Sequence, residues 1–556
     1  MTIGTDIWRM VKSMVGNECF VLAQKPSENY ALMKGIRLYV HDALQMVRQT
    51  YVCNKDMTMA LPCSTILKRI SDHVLGILVN ADPQTYVFCL DECVVPDGMK
   101  EQVGRMEKAH TAKCRAKQSS KQPPLPPLPE GRDEYFADDL PVMGDMNAIF
   151  SNRRARRELY AYITGYFCSE RFRNCIPEGK RVILSGGLGT DLKPLLPLSV
   201  SKDDINLITT VEVGRMAEGD LDVLRWVLHL QGDVIIESGD GDVLLYALMQ
   251  IRNIAHLNPK RRVYYRTERS TGAKDIASQL PSLEELAEIF DKEASSSSSS
   301  SSSSAPSRKR KRGQDWKPGD LGKKINQYVN VSKMRKLIIN SAVNHVSAPV
   351  EELVLVIIIA TSKHDYFYRK TLIHGVGEEK IFLAYLKWQH KIGSMVSVFQ
   401  YEREDPNLPH HHMYRVDKEA VDRFIDYCHY TAAINLMVKN GKLGDGDLES
   451  TEPIPMVMEK AKSNRERCMK RPSFFKALKA DCGEEAADIP VEERFAAGCA
   501  QLAWVLQYGG NAPIQDVKLI RGSKKDKESG HLLYGYTPEG FCLRVANPTS
   551  RYFQCG

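Results

Sequence analysis

The chain has 556 residues, 76 Lys+Arg against 69 Asp+Glu, a formal net charge of +7 and 43% hydrophobic residues. That length buries a large core and leaves room for more than one domain, and the ordinary balance of apolar and charged residues excludes a disordered, collagen-like or membrane-embedded class. The longest apolar run, Leu353 to Ala360, is far too short for a bilayer, and fourteen scattered cysteines with no CxxC pair argue against a zinc ribbon and fit reduced thiols in cytosol or nucleus.

Ile7, Met10, Val11 and Met14 have the spacing of an amphipathic helix. Lacking an apolar core segment and a cleavage site, this stretch does not read as a secretory signal. Gly35 to Asp42 reads as a strand ending in an acid, with a helix expected from Ala43 to Tyr51. Thr85 to Asp91 repeats the arrangement. Either aspartate alone is satisfied by a turn or an N-cap. Residues 105–121 hold six Lys/Arg, among them Lys108, Lys113, Arg115 and Lys117, against one Glu. They run into PPLPPLP (Pro123 to Pro129), a polyproline-II stretch. The segment suits a solvated loop or a basic arch that gathers a phosphate backbone. Arg153, Arg154, Arg156 and Arg157 open a helix expected to reach about Phe167. Cations there oppose the helix dipole, so the dipole is not the reason for them. Arg181 to Ser185 is another short strand.

Ala217 to Ala247 is the most informative stretch. Leu221, Leu224, Trp226, Val227 and Leu228 fit a helix, Val234 to Ile236 fits a buried parallel strand, and Val243, Leu244, Leu245 and Leu248 restart a helix. Glu218 and Asp220, with Asp222 in reserve, open the first helix; Asp240 and Asp242 follow the strand. Acids at helix N-termini complement the dipole. Acids gathered outside the carboxyl ends of strands also make an oxygen-rich site for Mg²⁺ or Mn²⁺.

Ten serines, Ser295 to Ser304, form a flexible linker. The pentad Arg308, Lys309, Arg310, Lys311 and Arg312 has the look of a nuclear localisation signal, with an import receptor as its partner; a nonspecific nucleic-acid tether is the alternative. Leu353 to Ala360 reads locally as a buried strand leading to His364-Asp365-Tyr366. Gly375-Val-Gly377, followed by Lys380, opens an amphipathic helix whose backbone N–H groups suit a phosphate, although a plain helix junction has the same sequence. His410 to His412 reads as an exposed loop after Pro409, and Met456, Met458 and Met469 as core filler. Ala500 to Tyr508 is an apolar helix.

Taken in this order, the blocks resemble the 5′ nuclease superfamily: flap endonucleases, XPG-type nucleases and XRN-type 5′→3′ exoribonucleases. The opening TDIWRMVKSM, the strand-terminal Asp42 and Asp91, Glu218-Gly-Asp220 and Asp240-Gly-Asp242 are similar to that family's motifs, and Leu353 to Tyr366 is similar to its apolar helix ending in an aspartate motif, which makes Asp365 the last carboxylate and replaces the local strand reading with a helix. The resemblance implies a central, mostly parallel sheet flanked by helices, the PIN-like α/β fold, with helical insertions and a largely helical C-terminal region. It implies two metal ions, Mg²⁺ or Mn²⁺. Asp42, Asp91, Glu218 and Asp220 would hold one; Asp240, Asp242 and Asp365 would hold the other. Lys100 and Arg105 would act on the scissile phosphate, and Gly375 to Lys380 is similar to a helix–hairpin–helix element that grips duplex DNA. Under the resemblance, residues 1–294 are the first part of a nuclease core, with a basic arch at about 100–132. Residues 295–316 are a linker, 317–395 the second part of the core and 396–556 a mainly helical extension. The implied activity is a structure-specific flap endonuclease or 5′→3′ exonuclease in the nucleus, monomeric, away from membranes, and acting on DNA rather than RNA. An XRN-like exoribonuclease and a catalytically inactive nucleic-acid scaffold are the alternatives.

Overall fold

Apolar runs without a polar face are strands covered on both sides. Leu38 to Val40, Thr85 to Cys89 and Val234 to Glu237 bury every residue. The computed structural model describes residues 11, 15–16, 19–23, 26–47, 61–90, 141–142, 153–209, 219–257, 260–270, 324–341, 349–361, 367, 369, 372–401 and 411–469. It also describes scattered positions between 495 and 545. In chain order the strands are β1 (Phe20–Ala23), β2 (Leu38–Asp42), β3 (Leu61–Pro62), β4 (Thr85–Cys89), β5 (Pro141–Val142), β6 (Arg181–Ser185), β7 (Leu198–Ser201), β8 (Ile205–Leu207), β9 (Val234–Glu237), β10 (Val263–Ser270) and β11 (Lys324–Asn330), followed by β12 (Val396–Tyr401), β13 (His411–Val416), β14 (Val517–Leu519) and β15 (Leu543–Val545).

Nine of them form one sheet, ordered β1-β11-β10-β9-β2-β4-β6-β7-β8. Its central strands β10, β9, β2, β4 and β6 are parallel. Strands β11 and β1 extend one edge antiparallel, and β7 and β8 the other. The expected α/β class and parallel sheet are therefore present at the centre, with antiparallel edges that the sequence did not announce. Ser270 pairs with Lys324, so the serine run and basic pentad lie between two adjacent strands of one sheet.

Helices cover both faces. The side chains of Tyr39, Tyr86 and Phe88 point to a core shared with α1 (Pro26–Met33), α2 (Cys63–Asn80) and α3 (Arg153–Cys168), which the short α4 (Glu170–Arg173) follows. Val40, Val87 and Ile236 point the other way, to α5 (Gly219–His229), α6 (Gly241–Leu257), α7 (Val331–Ser341) and α8 (Pro349–Ala360). That second core continues into α9 (Glu378–Ile392), α10 (Lys418–Lys439) and α11 (Pro455–Met469). Trp388 of α9 stacks on Tyr427 of α10 at 5.0 Å between ring centroids. No helix among the described residues is long and apolar enough to cross a membrane.

Three local readings are corrected. Leu353 to Ala360 is helical and buried at every position; a helix enclosed on all sides has no polar stripe to reveal its period, and its β-branched residues imitate a strand. His411 and His412 lie in β13, paired with β12, rather than in a loop. Met456 is 54% exposed and fills no core, whereas Met458 packs against it.

Candidate metal centre

Strand order places the site. The chain passes from β2 to β4 and β6 on one side, then returns to lay β9 and β10 on the other. The order reverses between β2 and β9, and ligands of doubly wound sheets collect at the carboxyl ends beside such a reversal. Asp42 closes β2, and Ser238, Gly239 and Asp240 follow β9. The Ser238 hydroxyl donates to Asp42 Oδ2 at 2.8 Å and accepts the Asp240 N–H at 3.0 Å. Asp240 Oδ1 accepts the N–H of Asp242, in the first turn of α6, at 3.2 Å. From β10, the Tyr265 hydroxyl donates towards the carbonyls of Ser238 and Asp240 at 3.0 and 2.9 Å. Ser238 and Asp242 are buried, while Asp42 and Asp240 are part-exposed. The acids therefore run from the protein interior outward to solvent.

Asp222 of α5 lies beneath, at the ends of β4 and β6. Burial raises its pKa. Arg225, 3.5 Å away, offsets that rise, as do the neighbouring polar groups of Ser185 and Cys89. The Cys89 thiol is pushed well up by burial and by the nearby Asp222 and Asp42. The reserve ligand is thus engaged in holding α5 to the sheet. At the exit of β6, Gly186 adopts φ +80, and a Cβ there would meet the Leu90 carbonyl oxygen at 2.3 Å. Only glycine tolerates both. The Leu90 N–H in turn donates to the Ser185 carbonyl at 3.0 Å, guiding the chain towards residue 91.

Of the proposed ligands, Asp42, Asp240 and Asp242 are linked in series, the Asp42 carboxylate through Ser238 to the Asp240 backbone and the Asp240 carboxylate to the Asp242 N–H; among the described residues their carboxylate oxygens do not form one group within 4.8 Å. Asp220 lies in the first turn of α5, with its side chain outside the described set. Asp91, Glu218 and Asp365 fall outside the described residues, as do Lys100, Arg105, Lys108, Lys113, Arg115, Lys117 and Arg308 to Arg312. Arg153 and Arg154 open α3, again without described side chains. Gly375, at φ +73, and Gly377, the N-cap of α9, form the α8–α9 junction. Arg369 donates there to the carbonyls of Ala360 and Val376. Glu378 and Glu379 already occupy the first turn of α9, ahead of Lys380.

Sequence reading passed over a polar group on the opposite face of the same strands: His41 of β2, Glu237 of β9 and His73 of α2. The signal in the sequence is a polar residue near the end of each of two otherwise apolar strands, His41 in β2 and Glu237 in β9. No protein-family model matches this sequence, and no curated protein matches it.

Proposed function

We propose that the chain is a metal-dependent 5′ nuclease with a PIN-like core, hydrolysing phosphodiester bonds in DNA. The observation that supports this is the placement of Asp42, Asp240 and Asp242 at neighbouring strand ends where the strand order reverses, with Ser238 bonding the Asp42 carboxylate to the Asp240 backbone. The donors there are oxygens, the set that suits Mg²⁺ or Mn²⁺. Asp42, Asp240 and Asp242 would hold the ions, with Asp91, Glu218, Asp220 and Asp365 completing the set implied by the sequence resemblance. Two bound ions supply charge stabilisation at the phosphate and an activated water. The chain's own part is to fix the carboxylates beforehand: Ser238 orients Asp42, and Tyr265 pins the Ser238–Asp240 turn. Lys100 and Arg105 would bind the scissile phosphate's oxygens, and the basic stretch from Arg105 to Lys121 would gather the backbone.

The test is purified protein with Mg²⁺ on 5′-flap DNA, nicked duplex and 5′-monophosphate RNA, beside an Asp240→Asn/Asp242→Asn variant. DNA cleavage is expected, falling at least ~100-fold in the variant, because even partners outside the ligand set are worth about 10–100-fold. Cleavage that the variant leaves unchanged sinks the site. Cleavage of RNA alone assigns an exoribonuclease, and binding without cleavage assigns a scaffold.

A further inference from the structure

The centre of the sheet carries a buried polar row on the face away from Asp42. Register aligns Tyr328, Arg266, Glu237 and His41 on neighbouring strands. Arg266 holds Glu237 Oε1 at 2.6 Å, and the Tyr39 hydroxyl donates to Oε2. His41 turns Nε2 towards the same Oε2, but at 3.7 Å, too long for a hydrogen bond. Its other nitrogen, Nδ1, is fixed by the Tyr86 hydroxyl at 2.5 Å. His73, on α2, lies alongside, its ring centroid 5.5 Å from that of His41. One ligand atom from each of His41, His73 and Glu237 lies within 4.8 Å of the others.

We propose that His41, His73 and Glu237 form a binding site for a first-row transition metal of the Zn²⁺ class, separate from the carboxylate centre. Two imidazoles and one carboxylate leave a position for water, a set that Zn²⁺ favours. Ligands of a tetrahedral ion with bonds near 2.0–2.1 Å stand about 3.3 Å apart, so the His41–Glu237 gap is close to that of two atoms sharing a metal. The Tyr86 contact on the far nitrogen of His41 is the outer support that metal-bound histidines use to fix ring and tautomer. Because Arg266 already neutralises Glu237, the pocket offers little charge to a hard ion and selects an imidazole-binding one. His73 is part-exposed, on the α2 side of the group. A bound ion would join β2, β9 and α2.

The inference does not depend on nuclease activity, and its test uses none. The full chain is stripped with chelator and titrated with Co²⁺ and Zn²⁺. Wild type should bind one Co²⁺ with the visible bands of a four-coordinate nitrogen–oxygen site, be displaced by Zn²⁺, and be unaffected by excess Mg²⁺. His73→Gln should weaken binding at least tenfold while far-UV dichroism and the metal-free thermal midpoint stay unchanged; His41→Asn is the second variant. Wild type that binds no Co²⁺ overturns the proposal. So does a spectrum dominated by thiolate charge transfer, or a folded His73→Gln protein that binds like wild type.

Discussion

Ser238 ties the two halves of the proposed centre with one hydroxyl, donating to Asp42 and accepting from the Asp240 backbone. Ser238→Ala removes both bonds and leaves every carboxylate in the chain. The expected result is a ~10–100-fold increase in the Mg²⁺ needed for half-maximal cleavage, the usual cost of losing a group that orients a ligand, with the rate at saturating metal largely retained. A Mg²⁺ titration of both proteins decides it, and an unchanged half-maximal concentration removes Ser238 from the positioning role. His429 of α10 supplies a pH dependence. Burial, then Arg465 and His374, lower its pKa to about 4, against ~6.5 in the unfolded chain. Between those values the unfolded chain holds a proton that the folded chain lacks. Stability is therefore complete above the unfolded pKa and lost as pH falls towards the folded one, by at most about 1.4 kcal/mol per pH unit. Denaturant midpoints taken from neutral to acid pH should fall less steeply in His429→Gln, by about one proton's worth of slope.

At the scale of elements, Glu352 shows how α8 holds the C-terminal helices to the sheet domain. Its carboxylate accepts the Ser394 hydroxyl at 2.8 Å and the backbone N–H groups of Met395 and Val396 at 2.7 and 3.3 Å, where α9 gives way to β12. Burial raises its pKa, and these bonds hold the rise in check. Glu352→Ala strands buried donors and should cost about 3 kcal/mol; Glu352→Gln, which keeps an acceptor oxygen, should cost clearly less. Urea midpoints of the two variants measure the difference. Glu352 was invisible in the sequence for the same reason as its helix: a segment enclosed on all sides shows no periodic polar face. The strands β2, β4, β6 and β9 were legible because short β-branched runs stand between polar or glycine residues. Strand β8 was not, since all its residues are exposed and no burial pattern forms. Strand β10 was hidden by Arg266, whose charge is neutralised by Glu237 on the neighbouring strand. Asp42, Asp240 and Asp242 were legible as acids at strand ends. Ser238, Tyr265, His73 and Glu237 acquire their roles only from partners distant in the chain, which one sequence does not reveal.

At the scale of the whole molecule, the question is what the low-complexity segment does to the fold. Residues 271–323 connect β10 to β11, and those strands are paired from Tyr264↔Asn330 to Ser270↔Lys324. The ends of the segment thus stand side by side, as the two arms of a hairpin do. Loop-closure entropy grows only with the logarithm of length, about 0.6 kcal/mol per doubling. An insertion of this size therefore sits between paired strands at small cost. The pairing itself is secured elsewhere, by β9 on one side and β1 on the other. Replacing residues 271–323 by a two-residue Asn-Gly turn, which suits the twist of paired strands, should leave the denaturation midpoint unchanged or raise stability by up to ~3 kcal/mol. The same deletion removes Arg308 to Arg312, so a fluorescent fusion should lose the nuclear accumulation expected of the intact chain, while Mg²⁺-dependent cleavage by the purified protein persists. A midpoint that drops sharply would mean that residues 271–323 pack against the sheet and that the hairpin does not close without them. A fusion that still accumulates in the nucleus would move the import signal to another part of the chain.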